Sequence, residues 1–260
     1  MPERLNSFWA ECPRIAIAFS GGVDSALLAY LARRALGDDN VLLLHAASVL
    51  LPECDRAFTA QFAEAGYRIR TVTVDPMALD AVRCNRKDRC YHCKKLIFGT
   101  LQKIAAEAGF PVLADGTNAD DPGDYRPGLQ AAAELGVRHT FFECGIGKNA
   151  IRTMAQTAAL PNWDLPASAC LASRIPTGMP LEESLLRRID GAEKALKEHG
   201  FAGVRVRVPG DWVKLEMDPA LFPRLLMLRG EMLDLLRQWG FDEVTLDLRG
   251  YRTGSMNRQR

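Results

Sequence analysis

The chain has 260 residues, 48% hydrophobic and 25% charged, an ordinary globular composition that can bury a sizeable core. Its 33 basic and 32 acidic residues give a formal net charge of +1, which offers no electrostatic argument for nucleic acid or an anionic membrane. No apolar run is long enough to span a bilayer, Met1-Pro2-Glu3-Arg4-Leu5-Asn6 lacks a signal-peptide core, and seven cysteines do not read as a secreted disulfide framework. The expectation is a soluble cytoplasmic protein.

Residues 1–13 read as a short polar lead-in. Ile15-Ala16-Ile17-Ala18 is then an apolar strand, followed directly by Phe19-Ser20-Gly21-Gly22-Val23-Asp24-Ser25 and the helical run Ala26 to Leu31. A strand, a Gly-Gly turn and a helix start gather free backbone N–H groups around one concavity, with the helix dipole behind it. That geometry suits a phosphate or pyrophosphate. Glycine lets backbone approach the anion, Ser20 and Ser25 add hydroxyls, and Asp24 supplies a hard oxygen for Mg²⁺. No lysine stands at the turn, so this is not the GxxxxGK[ST] loop.

Residues 41–46 form a second buried strand, 52–65 a helix, and 69–74 a third strand. A long helix over 91–106 precedes a fourth strand at Val112-Leu113-Ala114, with a fifth expected at 140–143 and a helix at 150–159. This alternation predicts an α/β fold with a doubly wound parallel sheet. Ligands of such sheets bind at the carboxyl ends of the strands, so Ser20 and the loop Asp115-Gly116-Thr117-Asn118 should share one crevice. That loop suits Mg²⁺ or ribose hydroxyls, though Asn and Asp also favour plain turns. Pro176-Thr177-Gly178-Met179-Pro180 reads as a linker, dividing the chain into 1–178 and a smaller α+β domain over 179–260. In the second part a helix spans 181–198, strands at 204–208 and 212–216 form a hairpin, and a helix over 220–239 leads to a strand at 244–248. Arg205 and Arg207, two apart on one strand, share a face and can clamp an anion, or else simply face solvent.

Cys90-Tyr91-His92-Cys93 enters a helix beside Arg83, Arg86, Lys87 and Arg89, cations that favour thiolates. Three readings stay open: a structural zinc site, which lacks a second close pair; a redox dithiol; or a [4Fe–4S] cluster completed by Cys170. Cys12, Cys54, Cys84 and Cys144 are most simply core or incidental thiols.

The Ser20–Ser25 turn resembles the PP-loop of ATP pyrophosphatases. Taken with Cys90-Tyr91-His92-Cys93-Lys94, Asp115 to Asp121, Asp124-Tyr125-Arg126-Pro127-Gly128, Ala169 to Pro176 and Gly250-Tyr251-Arg252-Thr253-Gly254, the chain resembles the LarE family from about residue 14 to Asn257. These are ATP-dependent sulfur transferases of nickel-pincer nucleotide synthesis, the cofactor of lactate racemase. The resemblance implies adenylation of a carboxylate of a pyridinium-3,5-dicarboxylate mononucleotide, followed by thiolation; the rival enzyme reading is a PP-loop tRNA thiolase, since some PP-loop enzymes also carry a CxxC and a cluster. It implies that Ser20, Gly21, Gly22, Val23 and Ser25 bind the departing pyrophosphate, with Asp24 on Mg²⁺, and that Asp115 to Asn118 complete the ATP site. Cys90, Cys93 and Cys170 would hold a cluster that delivers bound sulfide, in place of a sacrificial Cys170. Ser173, Arg174, Glu193, Arg205 and Arg207 would bind the substrate. A homo-oligomer and an external sulfide source are implied too. Thr177 and Leu165 depart from the family pattern, where an aromatic and a basic residue are expected.

Overall fold

The computed structural model describes residues 3–120, 127–164 and 169–252, without the side chains of residues 54–56. Leu165, Asp124 to Arg126, and Thr253 with Gly254 lie outside the described residues. By internal contact the chain forms two units. One comprises Met1–Ser48, Cys54–Leu79 and Asp88–Ser168, and the other Val49–Glu53, Asp80–Lys87 and Ala169–Arg260.

In chain order the elements are α1 (Glu3–Glu11), β1 (Ile15–Ala18), α2 (Val23–Leu36), β2 (Val41–Ala47), α3 (Glu53–Glu64) and β3 (Ile69–Thr73). There follow α4 (Asp80–Arg83, in the second unit), α5 (Arg89–Glu107), β4 (Val112–Asp115), α6 (Pro127–Glu134), β5 (Arg138–His139), α7 (Thr140–Glu143) and α8 (Lys148–Thr157). The five strands are all parallel, in the order β3-β2-β1-β4-β5, with Ile15 level with Val41 on one side and Val112 on the other. The connections change side between β1 and β4, so the loops leaving their carboxyl ends part there and open a crevice.

Alternation along β1 feeds both faces of the sheet. Ile15 and Ile17 join α1, α2 and α8 through Leu5, Phe8, Leu27, Ile151 and Ala155. Ala16 joins α5 on the other face through Phe98, Leu101 and Ala105. Two expectations need correction. The opening stretch is helical and buries Leu5, Phe8 and Trp9, whose spacing makes one apolar stripe within an otherwise polar segment. Residues 140–143 are helical, not a fifth strand; the edge strand is Arg138–His139 instead. Turning at Thr140 buries Phe141 completely, and the Phe142 N–H donates to the Thr117 carbonyl at 3.0 Å. Tertiary contacts there outweigh the strand preference of a Thr-Phe-Phe run.

The second unit contains α9 (Glu183–Glu198), β6 (Arg205–Arg207), β7 (Val213–Glu216), α10 (Phe222–Met227), α11 (Arg229–Gln238) and β8 (Val244–Leu246). β6 and β7 form the expected antiparallel pair, while β8 runs parallel to β7. α9 buries Leu186, Ile189, Ala192 and Leu196, and Gly191 lets Trp239 close on it, since a Cβ there would lie 2.2 Å from the indole ring. Residues 176–181 lie within this unit: Gly178 N–H donates to the Asn85 carbonyl at 2.8 Å and Leu181 N–H to that of Arg83 at 2.7 Å. Among the described residues, no helix is long and apolar enough to cross a membrane.

Candidate active site

At the switch point the chain leaves β1 through Ser20 and Gly21 and enters α2 at Val23. Gly21 takes φ +81°, a left-handed conformation that other residues adopt only with strain. The loop is braced by its own hydroxyls. Ser25 Oγ donates to the Gly22 carbonyl at 3.0 Å and accepts from Ser20 N–H at 3.3 Å, while Gly22 N–H donates to Ser20 Oγ at 3.3 Å. Ser20 is exposed and Gly22 half-buried, so the bond between them lies at the surface, at the mouth of the turn over the N-terminus of a 14-residue helix. That is an anion cradle.

The loop after β4 closes on it. A Cβ on Gly116 would sit 2.9 Å from the Asp24 and Ser25 backbone, so only glycine allows this approach. Asn118 donates to Asp24 Oδ2 at 3.5 Å and fixes its own loop by accepting from Asp120 N–H at 3.0 Å. Asp115 is spanned by Thr117, whose N–H and hydroxyl donate at 3.1 and 3.0 Å, and by His139 Nδ1 at 2.7 Å. Burial by itself would raise the Asp115 carboxyl. The His139 bond, the His139 and Lys94 charges and the Thr117 N–H outweigh it and hold that carboxyl below its ordinary value. His139, which burial alone would push down, is raised by the same pairing.

One residue escaped sequence reasoning. Lys148, the first residue of α8, places Nζ 2.6 Å from Asp24 Oδ1, and its backbone N–H donates to Asp120 Oδ2 at 2.6 Å. The turn carries no lysine, but the fold brings one to it from 124 residues away. The only signal in the sequence was a lysine following Gly147, which stands at the N-cap of a helix.

Cys90 and Cys93 occupy the first turn of α5, three apart, so their sulfurs share a helix face. Cys90 is exposed and Cys93 half-buried. The residues between them have their own partners: Tyr91 hydroxyl donates to Glu134 at 2.7 Å, and His92 Nε2 bonds Asp88 at 3.1 Å. Gly128 lies against this turn, where a Cβ would be 3.2 Å from Lys94 Cγ. Among the described residues, no three His, Cys, Asp or Glu side chains of either unit converge as a metal site, and no disulfide is present.

In the second unit Cys170 caps the short turn Leu171–Arg174. Arg174 is 1% exposed, and its guanidinium is committed to protein groups. Nε and Nη2 donate to the two Glu193 oxygens at 2.9 and 2.8 Å; Nη1 donates to the Ala169 and Cys170 carbonyls at 2.7 and 3.2 Å and to Ser173 Oγ at 3.1 Å. Glu193 is wholly buried and also accepts from Val206 N–H at 3.0 Å. Burial works to raise the Glu193 carboxyl, but Arg174 and Arg205 keep it below its ordinary value. Arg207 donates to the Ser173 carbonyl at 2.7 Å and to Glu216 at 3.0 Å. Arg205 lies under the Tyr251 ring at 5.3 Å, its guanidinium pulled down by burial. Neither β6 arginine is solvated, so the reading in which they simply face solvent is excluded.

The NAD synthase family description matches residues 10–99, the stretch holding the cradle and the cysteine helix turn. The chain is 37% identical over 249 residues to the pyridinium-3,5-bisthiocarboxylic acid mononucleotide synthase of Lactiplantibacillus plantarum, covering 95% of this chain and 90% of that protein. The chain belongs to the LarE family. An uncharacterized Synechocystis protein is 38% identical over 98% of this chain and 96% of its own length, and one from Methanocaldococcus jannaschii is 27% identical over 92% and 91%. LarE membership joins the NAD synthase match, which belongs to ATP-using PP-loop enzymes, in marking this chain as an enzyme with an ATP-binding PP-loop.

Proposed function

We propose that this protein is an ATP-dependent sulfur transferase that converts a carboxylate of pyridinium-3,5-dicarboxylate mononucleotide into a thiocarboxylate. The observation that carries the reading is Asp24, held between Lys148 and Asn118 beside a glycine cradle at the sheet's switch point. Ser20, Gly21, Gly22, Val23 and Ser25 receive the β- and γ-phosphates, with Asp115, Gly116, Thr117 and Asn118 walling the nucleotide. Asp24 would hold Mg²⁺, which supplies charge neutralisation for the leaving pyrophosphate; a carboxylate already paired with an ammonium suits a cation there. Lys148 is then free to neutralise phosphate oxygens. A substrate carboxylate oxygen attacks the α-phosphorus, the bond to the β-phosphate oxygen breaks, and pyrophosphate departs. A sulfur nucleophile next attacks the acyl carbon, and AMP leaves as the carbon–oxygen bond breaks.

Cys90, Cys93 and Cys170 are the residues that would hold a [4Fe–4S] cluster, which would supply bound sulfide for the second step. Support comes from the donor chemistry, three thiols of which two share a helix face beside cations. Ser173, Arg205 and Arg207 are proposed for the substrate phosphate; Arg174, committed to Glu193 and to the Ala169 and Cys170 carbonyls, is proposed to position that site, with Glu193 acting through it. The sulfide source is external, the assembly is a homo-oligomer, and nucleic acid is not a substrate.

The test is pyrophosphate release on adding the pyridinium mononucleotide, with product mass showing sulfur in place of oxygen. No release with the mononucleotide, or release driven by tRNA, would reject the reading. For the cluster, anaerobically reconstituted protein should hold about four irons per chain. Replacing Cys90, Cys93 or Cys170 by Ala should each abolish that. Iron-free protein that loses the Cys170 sulfur in a single turnover would instead show sacrificial donation.

A further inference from the structure

Asn162 lies on the turn after α8 and is fully buried. Its Nδ2 donates to the Gly21 carbonyl at 2.8 Å, across 141 residues. Its Oδ1 is buried and has no hydrogen-bond partner among the described residues. An unmatched buried acceptor costs about 1–3 kcal/mol, so an apolar side chain would serve packing better. The amide therefore has a use beyond filling space, and that use is the Gly21 carbonyl.

A trans peptide is planar, with the carbonyl of one residue and the N–H of the next pointing in opposite directions. Pinning the Gly21 carbonyl on the buried side thus aims the Gly22 N–H outward, where it donates to the hydroxyl of the exposed Ser20. With glycine on both sides this peptide has little intrinsic preference and can flip, removing a donor from the cradle. We propose that Asn162 is a positioning residue of the pyrophosphate cradle, locking the Gly21–Gly22 peptide so that Gly22 N–H faces a phosphate oxygen of ATP. One helix then serves the site at both ends. α8 brings Lys148 to Asp24 at its start and carries Asn162 to Gly21 just past its end, while Ile151 and Ala155 fix it against α2 in the core.

This inference rests on the proposed ATP reading, and calorimetric titration of the full chain with MgATP and with AMP separates the two. AMP lacks the β- and γ-phosphates that the cradle holds. In Asn162→Ala, ATP affinity should fall about tenfold or more, the worth of one well-placed charge-assisted hydrogen bond, while AMP affinity stays within about twofold. Asn162→Asp keeps the shape and adds a pH signature. A protonated carboxyl donates to the Gly21 carbonyl, whereas an ionised one repels it, so ATP affinity should drop as pH rises while wild type changes little. Wild-type ATP affinity in Asn162→Ala, or equal losses for ATP and AMP, would overturn the positioning role. If Asn162→Ala does not fold, a pH slope in Asn162→Asp no steeper than wild type overturns it. Failure of the unaltered protein to bind ATP would sink the parent reading, and this inference with it.

Discussion

Removing the Glu193 carboxylate should loosen the second unit and disorder the Cys170 turn together. The side chains of Arg174 and Glu193 are 2% and 0% exposed and share two hydrogen bonds, so neither charge has water to fall back on. In Glu193→Ala the guanidinium remains buried without its counter-charge, which costs about 3–5 kcal/mol. The Val206 N–H also loses its acceptor, a loss of about 1–3 kcal/mol that overlaps with the first. Taking about 4 kcal/mol, amides of α9 and β6 should exchange with deuterium nearly a thousandfold faster, while those of β1 and β2 in the other unit keep their rates. A double variant sharpens the test. Arg174→Met with Glu193→Leu replaces both charges by apolar groups of similar volume and should recover most of the protection. It should not recover thiolation, because nothing then ties the Ala169 and Cys170 carbonyls. Exchange in α9 and β6 changing less than about tenfold in Glu193→Ala would refute the argument from burial. Full activity in the double variant would show that Arg174 does not organise the Cys170 turn.

Lys148→Ala should lower mononucleotide-dependent pyrophosphate release by about a hundredfold or more, as expected for losing a preorganised cation, with little effect on stability because the Asp24 pair is about a quarter exposed. Unchanged release would confine Lys148 to an ion-pair role. His139 should titrate above its ordinary 6.5 when followed by NMR, and Asp115→Asn should lower it, since burial and the Lys94 charge are then opposed only by the Glu143 charge. The sign for stability follows. The His139 contribution is fully present below pH 6.5 and fades as pH rises through its raised value, whereas that of Asp115 fades as pH falls through its value below 3.8. A His139 titration indifferent to Asp115→Asn would disprove the pairing in solution.

The sequence by itself determined what depends on neighbours along the chain. Ile15 to Ala18, Gly21-Gly22 and the apolar start of α2 state a strand, an anion turn and a helix within some twenty residues, because alternation and glycine freedom are local properties. The parallel sheet followed from strands alternating with helices, and the crevice shared by Ser20 and Asp115 followed from their places at strand ends. The tertiary structure alone decided what depends on distant partners. Lys148 and Asn162 reach the turn only because α8 packs on α2. Arg207 and Glu193 are buried because each meets an opposite charge on another element, Glu216 nine residues on and Arg174 nineteen residues back, which no periodicity encodes. Residues 140–143 turn away from the sheet for the same reason: burying Phe141 and pairing His139 with Asp115 are worth more than one added edge of strand.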